Sequence, residues 1–218
     1  QAIHYAQKRI FCLEKMPSND RIQNMIASLR TILGIFLIEM NHFSKAKEII
    51  APIVELVLKS DDKKKISQIL TIIGSFEYIV VENFPKAFEH LEEALRISKG
   101  IEDQMCLASV SYWIGCAQHL TCEFEKAEIN IKRSEKINRH ANIRWREASI
   151  KSLLSHLVYY YQGKIDLAYE ISNKAVRIAD ESGDIYSKTF AYACHGISCF
   201  GKGNFQEALE FLSIGRKF

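Results

Sequence analysis

The sequence predicts an all-α fold, an α-α superhelix built as a solenoid of antiparallel helix hairpins. Two observations predict it, and a third excludes the main alternatives. Five segments repeat one pattern: Asn41-His42-Phe43-Ser44-Lys45-Ala46, Glu82-Asn83-Phe84-Pro85-Lys86-Ala87, Cys122-Glu123-Phe124-Glu125-Lys126-Ala127, Gly163-Lys164-Ile165-Asp166-Leu167-Ala168 and Gly203-Asn204-Phe205-Gln206-Glu207-Ala208. Their final alanines are separated by 41, 40, 41 and 40 residues. Self-similarity at such a period is the mark of a repeat array, in which each unit is too small to bury its own apolar face. Each segment also lies between two stretches whose apolar residues recur at helical spacing. No stretch alternates with period two for long, so no strand is expected.

The elements follow in order. Asn19-Asp20 after Pro17 opens a helix through Ile22, Met25, Ile26 and Leu29. Ser60-Asp61-Asp62 precedes a helix through Ile66, Ile69 and Ile73, and Ser98-Lys99-Gly100 ends one ahead of Asp103. In Ser182-Gly183-Asp184, glycine suits the residue after a helix and aspartate suits the N-cap of the next. Helices are expected over 20–40, 43–59, 62–82, 84–99, 103–121, 124–139, 142–161, 165–182, 184–202 and 205–217. Pro52 lies inside a helical pattern and removes a backbone donor, so a kink is expected there. Repeats are expected at 20–60, 61–101, 102–141, 142–182 and 183–218, within a single solenoid domain 1–218. Residues 1–15 read as the second helix of a preceding repeat, and the chain as a segment of a longer protein.

Small residues are expected where the two helices of a hairpin cross. Twelve positions before the alanines stand Gly34, Ser75, Gly115, His156 and Gly196. His156 is the outlier and requires a local widening or a gap for its ring.

With Gly196, Gly203, Phe205 and Ala208 in the last unit, and Gly115, Phe124 and Ala127 in the third, the chain resembles the tetratricopeptide repeat family. There these are the small residue of helix A, the turn glycine, the turn aromatic and the first alanine of helix B. A second helix-B alanine is matched at Ala94 and Ala175, and replaced by Ile53, Ser134 and Gly215. The resemblance covers about residues 20–218. The usual period is shorter and often ends in a proline absent here, so the likeness is to the long-repeat variety of bacterial signalling ATPases, maltose-regulator-type activators, cyclase-linked regulators and peptide-pheromone receptors.

Composition sets further bounds. Apolar residues make up 48% and charged residues 25% of 218, as in folded globular chains. A net charge of +3 is too small to mark a nucleic-acid surface. The uncharged apolar stretch 66–76 is far short of a membrane span of about 20 residues, and no span is expected. Six cysteines without a CxxC pair suit a reduced, cytoplasmic chain.

No catalytic motif is present: neither a phosphate loop nor HExxH nor GxSxG. Cys194 and His195 are adjacent, so they point to different helix faces and do not form a nucleophile–base pair. Cys116, His119 and Cys122 fall short of the converging ligands that a metal needs, because Cys122 lies in a turn. No catalytic residue, metal or cofactor is expected. The basic run Lys132, Arg133, Lys136, Arg139, His140, Arg144 and Arg146 is interrupted by Glu135 and Glu147 and reads as a solvated helix end.

The resemblance implies a partner-binding face on helix A, at the residue after the small position and three or four residues to either side. Here those are Thr31, Ile35 and Ile38; Ile72, Phe76 and Ile79; Tyr112, Cys116 and His119; Leu153, Leu157 and Tyr160; and Ala193, Ile197 and Phe200. The Lys, Arg and Asn with which some family members grip a terminal carboxylate are replaced by Ile, Phe, Tyr and Leu. The expected function is therefore a non-catalytic protein-interaction scaffold in an intracellular signalling or regulatory protein. It would take a protein partner, a peptide or a segment of the parent chain, with no nucleic acid or membrane. A peptide-sensing regulator that changes conformation is the alternative, and an enzyme is the distant one.

Overall fold

The five turn segments carry the backbone feature that makes hairpins of this chain. Their first residues, Asn41, Glu82, Cys122, Gly163 and Gly203, all have positive φ, between 59° and 82°. One left-handed residue reverses the chain in two or three residues, so the next helix begins at Phe43, Phe84, Phe124, Ile165 or Phe205. Gly183 and Asn142 play the same part between hairpins. The computed structural model describes residues 2–218, with only the backbone of Ala2. Gln1, the start of the expected leading helix, lies outside the described residues.

The helices are α1 (Ala2–Glu14), α2 (Asp20–Glu39), α3 (Phe43–Ile50), α4 (Val54–Leu58), α5 (Lys63–Ile79), α6 (Phe84–Lys99), α7 (Gln104–Leu120), α8 (Phe124–His140), α9 (Arg144–Leu153), α10 (Ile165–Ser182), α11 (Ile185–Gly201) and α12 (Phe205–Gly215). There is no strand among the described residues. The N-caps stand where the sequence places them: Asn19, Asp62, Asp103 and Asp184 accept from the N–H of Ile22, Lys65, Cys106 and Ser187. Pro52 breaks the second helix of the first hairpin, where a 3-10 turn, Ala51–Ile53, separates α3 from α4. The chain divides into two compact units, residues 1–113 and 114–218, with α7 contributing to both.

In the first unit the hairpins close on glycine. A Cβ on Gly34 would stand 2.7 Å from Ile72 Cδ1 and 2.8 Å from Ile50 Cγ2. A Cβ on Gly74 would stand 2.6 Å from Leu91 Cγ and 3.1 Å from the Ala87 carbonyl oxygen. The small position of the second hairpin is therefore Gly74, and the expected Ser75 is corrected by one residue. The extra residue is taken up in the turn. There the Asn83 N–H reaches back six residues to the Glu77 carbonyl, whereas His42 reaches back five to Leu37. Ala46 and Ala87 are fully buried at these crossings. In α1, Ala6 stands 40 residues before Ala46, and Ile10 and Leu13 are buried as Ile50 and Ile53 are.

Helix α2 is the one described helix long and apolar enough to cross a membrane by length and composition, which the sequence reading did not single out. Here Ala27, Leu33, Leu37 and Ile38 are buried in the protein core. Helix α5 buries Ile69 to Ser75 without interruption, then Tyr78, and exposes Ile79 at its C-terminal end.

In the second unit, Cβ positions on Gly115 and Gly196 would come within 2.6 Å of Ile131 Cγ1 and Leu212 Cγ, the same closure again. The fourth hairpin differs. The backbone from Leu154 to Tyr160 widens into a π-helix, in which Ser155 is fully buried while the expected His156 is half-buried and turns its ring to Tyr160 and Tyr161. The basic run is neutralised locally: Lys132 pairs with Glu128 at 2.6 Å, Arg139 with Glu135 at 3.9 Å and Arg144 with Glu147 at 3.1 Å.

Candidate functional site

The expected binding face divides into three groups. Thr31, Ile38, Ile72 and Leu153 are buried in the core rather than on an open face, which corrects their expected exposure. The Thr31 hydroxyl donates back to the Ala27 carbonyl at 2.8 Å, as a core threonine does. Ile72 fills the space over Gly34, a consequence of the one-residue shift in the second hairpin. Leu153 lies in the core where α9 passes into the π-helix. Ile35, Phe76, Tyr112, Cys116, His119, Leu157, Tyr160, Ala193 and Ile197 are half-buried, while Ile79 and Phe200 are exposed.

In the first unit the accessible part is Ile35, Phe76, Ile79 and Tyr112. Lys47 Nζ stands 5.8 Å from the Phe76 ring centroid. The exposed Val80 and Val81 extend the apolar surface into the turn after α5.

In the second unit the structure assembles a continuous chain of rings. The His119 ring lies 5.8 Å from Phe124 and 5.1 Å from Tyr161. Tyr161 lies 5.6 Å from His156 and 5.9 Å from Tyr160. A Cβ on Gly201 would meet Tyr160 Cε2 at 2.7 Å, so this tyrosine reaches the end of α11. Beside it Phe200 and Phe205 stand edge to face at 5.4 Å. These rings lie toward the ends of α7, the π-helix and α11 and on the turns that follow them, away from the middle of helix A. Phe124, His156, Tyr161 and Phe205 belong to this ring cluster and are not among the expected residues. Phe124 and Phe205 carry a signal, the aromatic of the repeated segment. Tyr161 had none, because its direction depends on the π-helix.

The electrostatics of this surface are those of neutral rings. Burial holds the His119 pKa below its ordinary value, partly opposed by a hydrogen bond to the Leu157 backbone. Burial lowers His156 too, with the neighbouring His119 adding to it. The Nδ1 atoms of His119 and His156 are buried without a hydrogen-bond partner. The surface therefore offers mainly aromatic faces, the composition that suits an apolar ligand.

Nucleophilic chemistry is poorly served. Burial pushes the Cys194 thiol up to about 12 and that of Cys199 up to about 11. A reactive cysteine needs the reverse. Cys122 lies exposed in a turn at φ 61°. Among the described residues, Cys116, His119 and Cys122 do not converge as ligands.

No protein-family profile matches the chain, and no curated protein matches it. Solved structures do. The chain is similar to BtubC from P. vanneervenii, with a TM-score of 0.74 and 18% identity over 99% of this chain and 88% of that one. It is similar to a Rap protein complexed with competence and sporulation factor, with a TM-score of 0.74 and 14% identity over 96% of this chain and 57% of that one. It is also similar to a signal-transduction ATPase with a tetratricopeptide repeat sensor from Pyrococcus horikoshii, at 0.71 and 15%, over 89% of this chain and 31% of that one. At these identities the likeness shows the fold alone. The fold is of the tetratricopeptide repeat type, an all-α array of helix hairpins.

Proposed function

We propose that the chain is a non-catalytic binding array that holds an apolar or amphipathic peptide segment against the ring surface of its second unit. The observation that carries this reading is the run of Phe124, His119, Tyr161, His156 and Tyr160, partly or largely exposed and in ring-to-ring contact. Tyr161 is 56% exposed. A free aromatic surface forfeits about 25 cal/mol for each Å² of apolar area that a ligand would cover. The first-unit surface, Ile35, Phe76, Ile79 and Tyr112, offers a second, more aliphatic area.

The structural neighbours support a protein or peptide ligand in general terms. One is a complex with a competence and sporulation factor, and another carries a tetratricopeptide repeat sensor. All six cysteines are free thiols, which suits a reducing compartment such as the cytoplasm. A role inside a longer signalling or regulatory polypeptide is part of the same proposal.

Selection from a displayed library of helical peptides tests it. Amphipathic sequences with a large apolar face should be enriched on the native chain and lost on a Tyr160→Ala, Leu157→Asp variant of unchanged helicity. Equal enrichment on both proteins would place the ligand elsewhere and overturn the reading.

A further inference from the structure

The fifth hairpin contains a constellation that repeat packing does not call for. His195 and Cys199 lie one turn apart on α11, and Glu207 lies in the first turn of α12. A ligand atom of each stands within 4.8 Å of the others. His195 is 1% exposed and Cys199 is fully buried. We propose that these three residues form a binding site for one zinc-type divalent ion, with a fourth position left to water.

Two of the three ligands, His195 and Glu207, are already oriented. The Ser172 hydroxyl donates to the Tyr169 carbonyl at 3.0 Å, so its oxygen accepts from His195 Nδ1 at 2.9 Å. The hydrogen-bond network thereby assigns the proton to Nδ1 and leaves the Nε2 lone pair free for a metal. Tyr169 and Phe211 flank the imidazole at 4.9 and 4.4 Å between centroids and fix its plane. Glu207 is held at both oxygens: Tyr169 Oη donates to Oε1 at 2.9 Å and Asn204 Nδ2 donates to Oε2 at 3.0 Å. Outer partners of this kind are what orient histidine and carboxylate ligands in metal sites.

The donor set is chemically coherent. One thiolate, one imidazole and one carboxylate are borderline ligands that suit Zn²⁺. Tetrahedral zinc sets its donors about 3.3–3.6 Å apart, as follows from bonds of about 2.0–2.3 Å. Binding displaces the Cys199 thiol proton to solvent, and the thiolate and carboxylate charges balance the ion.

The other hairpins argue in the same direction. Where His195 stands, the first three carry Leu33, Ile73 and Ile114. Where Glu207 stands, they carry Lys45, Lys86 and Lys126. The fold accepts apolar and cationic residues at these places, so the fifth set is not a packing requirement.

The test is Co²⁺ titration of the reduced, metal-free chain. One equivalent should bring up a thiolate-to-cobalt charge-transfer band and the intense visible bands of tetrahedral cobalt. Cys199→Ser should abolish the charge-transfer band. Ser172→Ala should weaken binding by about 10–100-fold. Cys12→Ser with Cys122→Ser, at exposed thiols, should change nothing. A spectrum without the charge-transfer band, or one that survives Cys199→Ser or vanishes with the exposed cysteines, overturns the site. Should Cys199→Ser unfold, X-ray absorption on the zinc-loaded native chain decides: one sulfur with nitrogen and oxygen supports the proposal, and no sulfur refutes it.

Discussion

The two units run the same backbone program with different interiors. Both close their crossings on glycine against aliphatic side chains, as Gly34 does on Ile72 and Ile50 and Gly196 on Leu212; they differ in the polar groups that they bury. The first unit's buried polar groups are mostly small hydroxyls: Thr71 donates locally to the Ser67 carbonyl at 2.8 Å, and Ser67 pairs with Ser98 between α5 and α6 at 2.6 Å. The second unit buries Glu135, Glu147, His195, Asn130 and Gln118. Lys151 lies between two of these acids, 2.8 Å from Glu135 and 3.9 Å from Glu147. The difference teaches that the repeat fixes the turns and the small residues, and leaves the remaining positions free for chemistry. That freedom is used in the second unit.

The comparison breaks or sharpens in a definite order. The largest effect is expected at Lys151. Lys151→Ala removes the cation shared by two buried carboxylates, leaving Glu135 with Arg139 at 3.9 Å and Glu147 with Arg144 at 3.1 Å, and should cost about 3 kcal/mol in urea unfolding. Thr71→Val in the first unit removes one local hydrogen bond and should cost about 1 kcal/mol. Equal costs would erase the distinction between the interiors.

Overpacking comes next. Ala127 is fully buried, and its carbonyl oxygen stands 3.3 Å from the Cβ position of Gly115. Ala127→Leu should cost about 1–3 kcal/mol, because backbone cannot retreat. An unchanged melting temperature would show that this alanine does not face the crossing.

Acid sensitivity is the third. Burial, the dominant cause in each case, lowers the pKa of His119, His156 and His195 from 6.5. The unfolded chain then binds more protons than the folded one as pH falls below 6.5, and stability declines until the folded-state values are passed. The paired Asp62 and Asp103, lowered from 3.8, contribute stability that is lost only at more acidic pH. Their loss belongs to the first unit and that of the histidines to the second. His156→Phe should flatten the limb just below 6.5. A limb unaltered by substituting any of the three histidines would contradict the assignment.

The smallest effect is at a turn. Glu82 has φ 59°, where the fourth and fifth hairpins use glycine. Glu82→Gly should stabilise the chain by up to about 1 kcal/mol, read as a rise in melting temperature. A fall would mean that the Glu82 side chain supports the turn.

Much of this fold is legible in the sequence because its determinants are local. The left-handed turn residues, the caps Asn19, Asp62, Asp103 and Asp184, and the crossing alanines each act within a few residues. Ser75 was misassigned because a one-residue insertion in the second turn leaves the alanine spacing intact while shifting everything before it. That shift buries Ile72. Thr31, Ile38 and Leu153 were misplaced for another reason: exposure on helix A depends on neighbouring hairpins, which residue spacing does not report. Tyr161 and Glu207 depend on the π-helix and on α11 packing against α12, and such convergence has no sequence signal.

The central claim is that the second unit's ring surface is where a ligand binds, and hydrogen exchange with and without a selected amphipathic peptide tests it most directly. Slowed exchange should concentrate at 116–124, 156–165 and 199–205, the helix ends and turns that carry His119, Tyr160, Tyr161 and Phe205. Protection confined to α8 and α10, with those segments unchanged, would contradict the account.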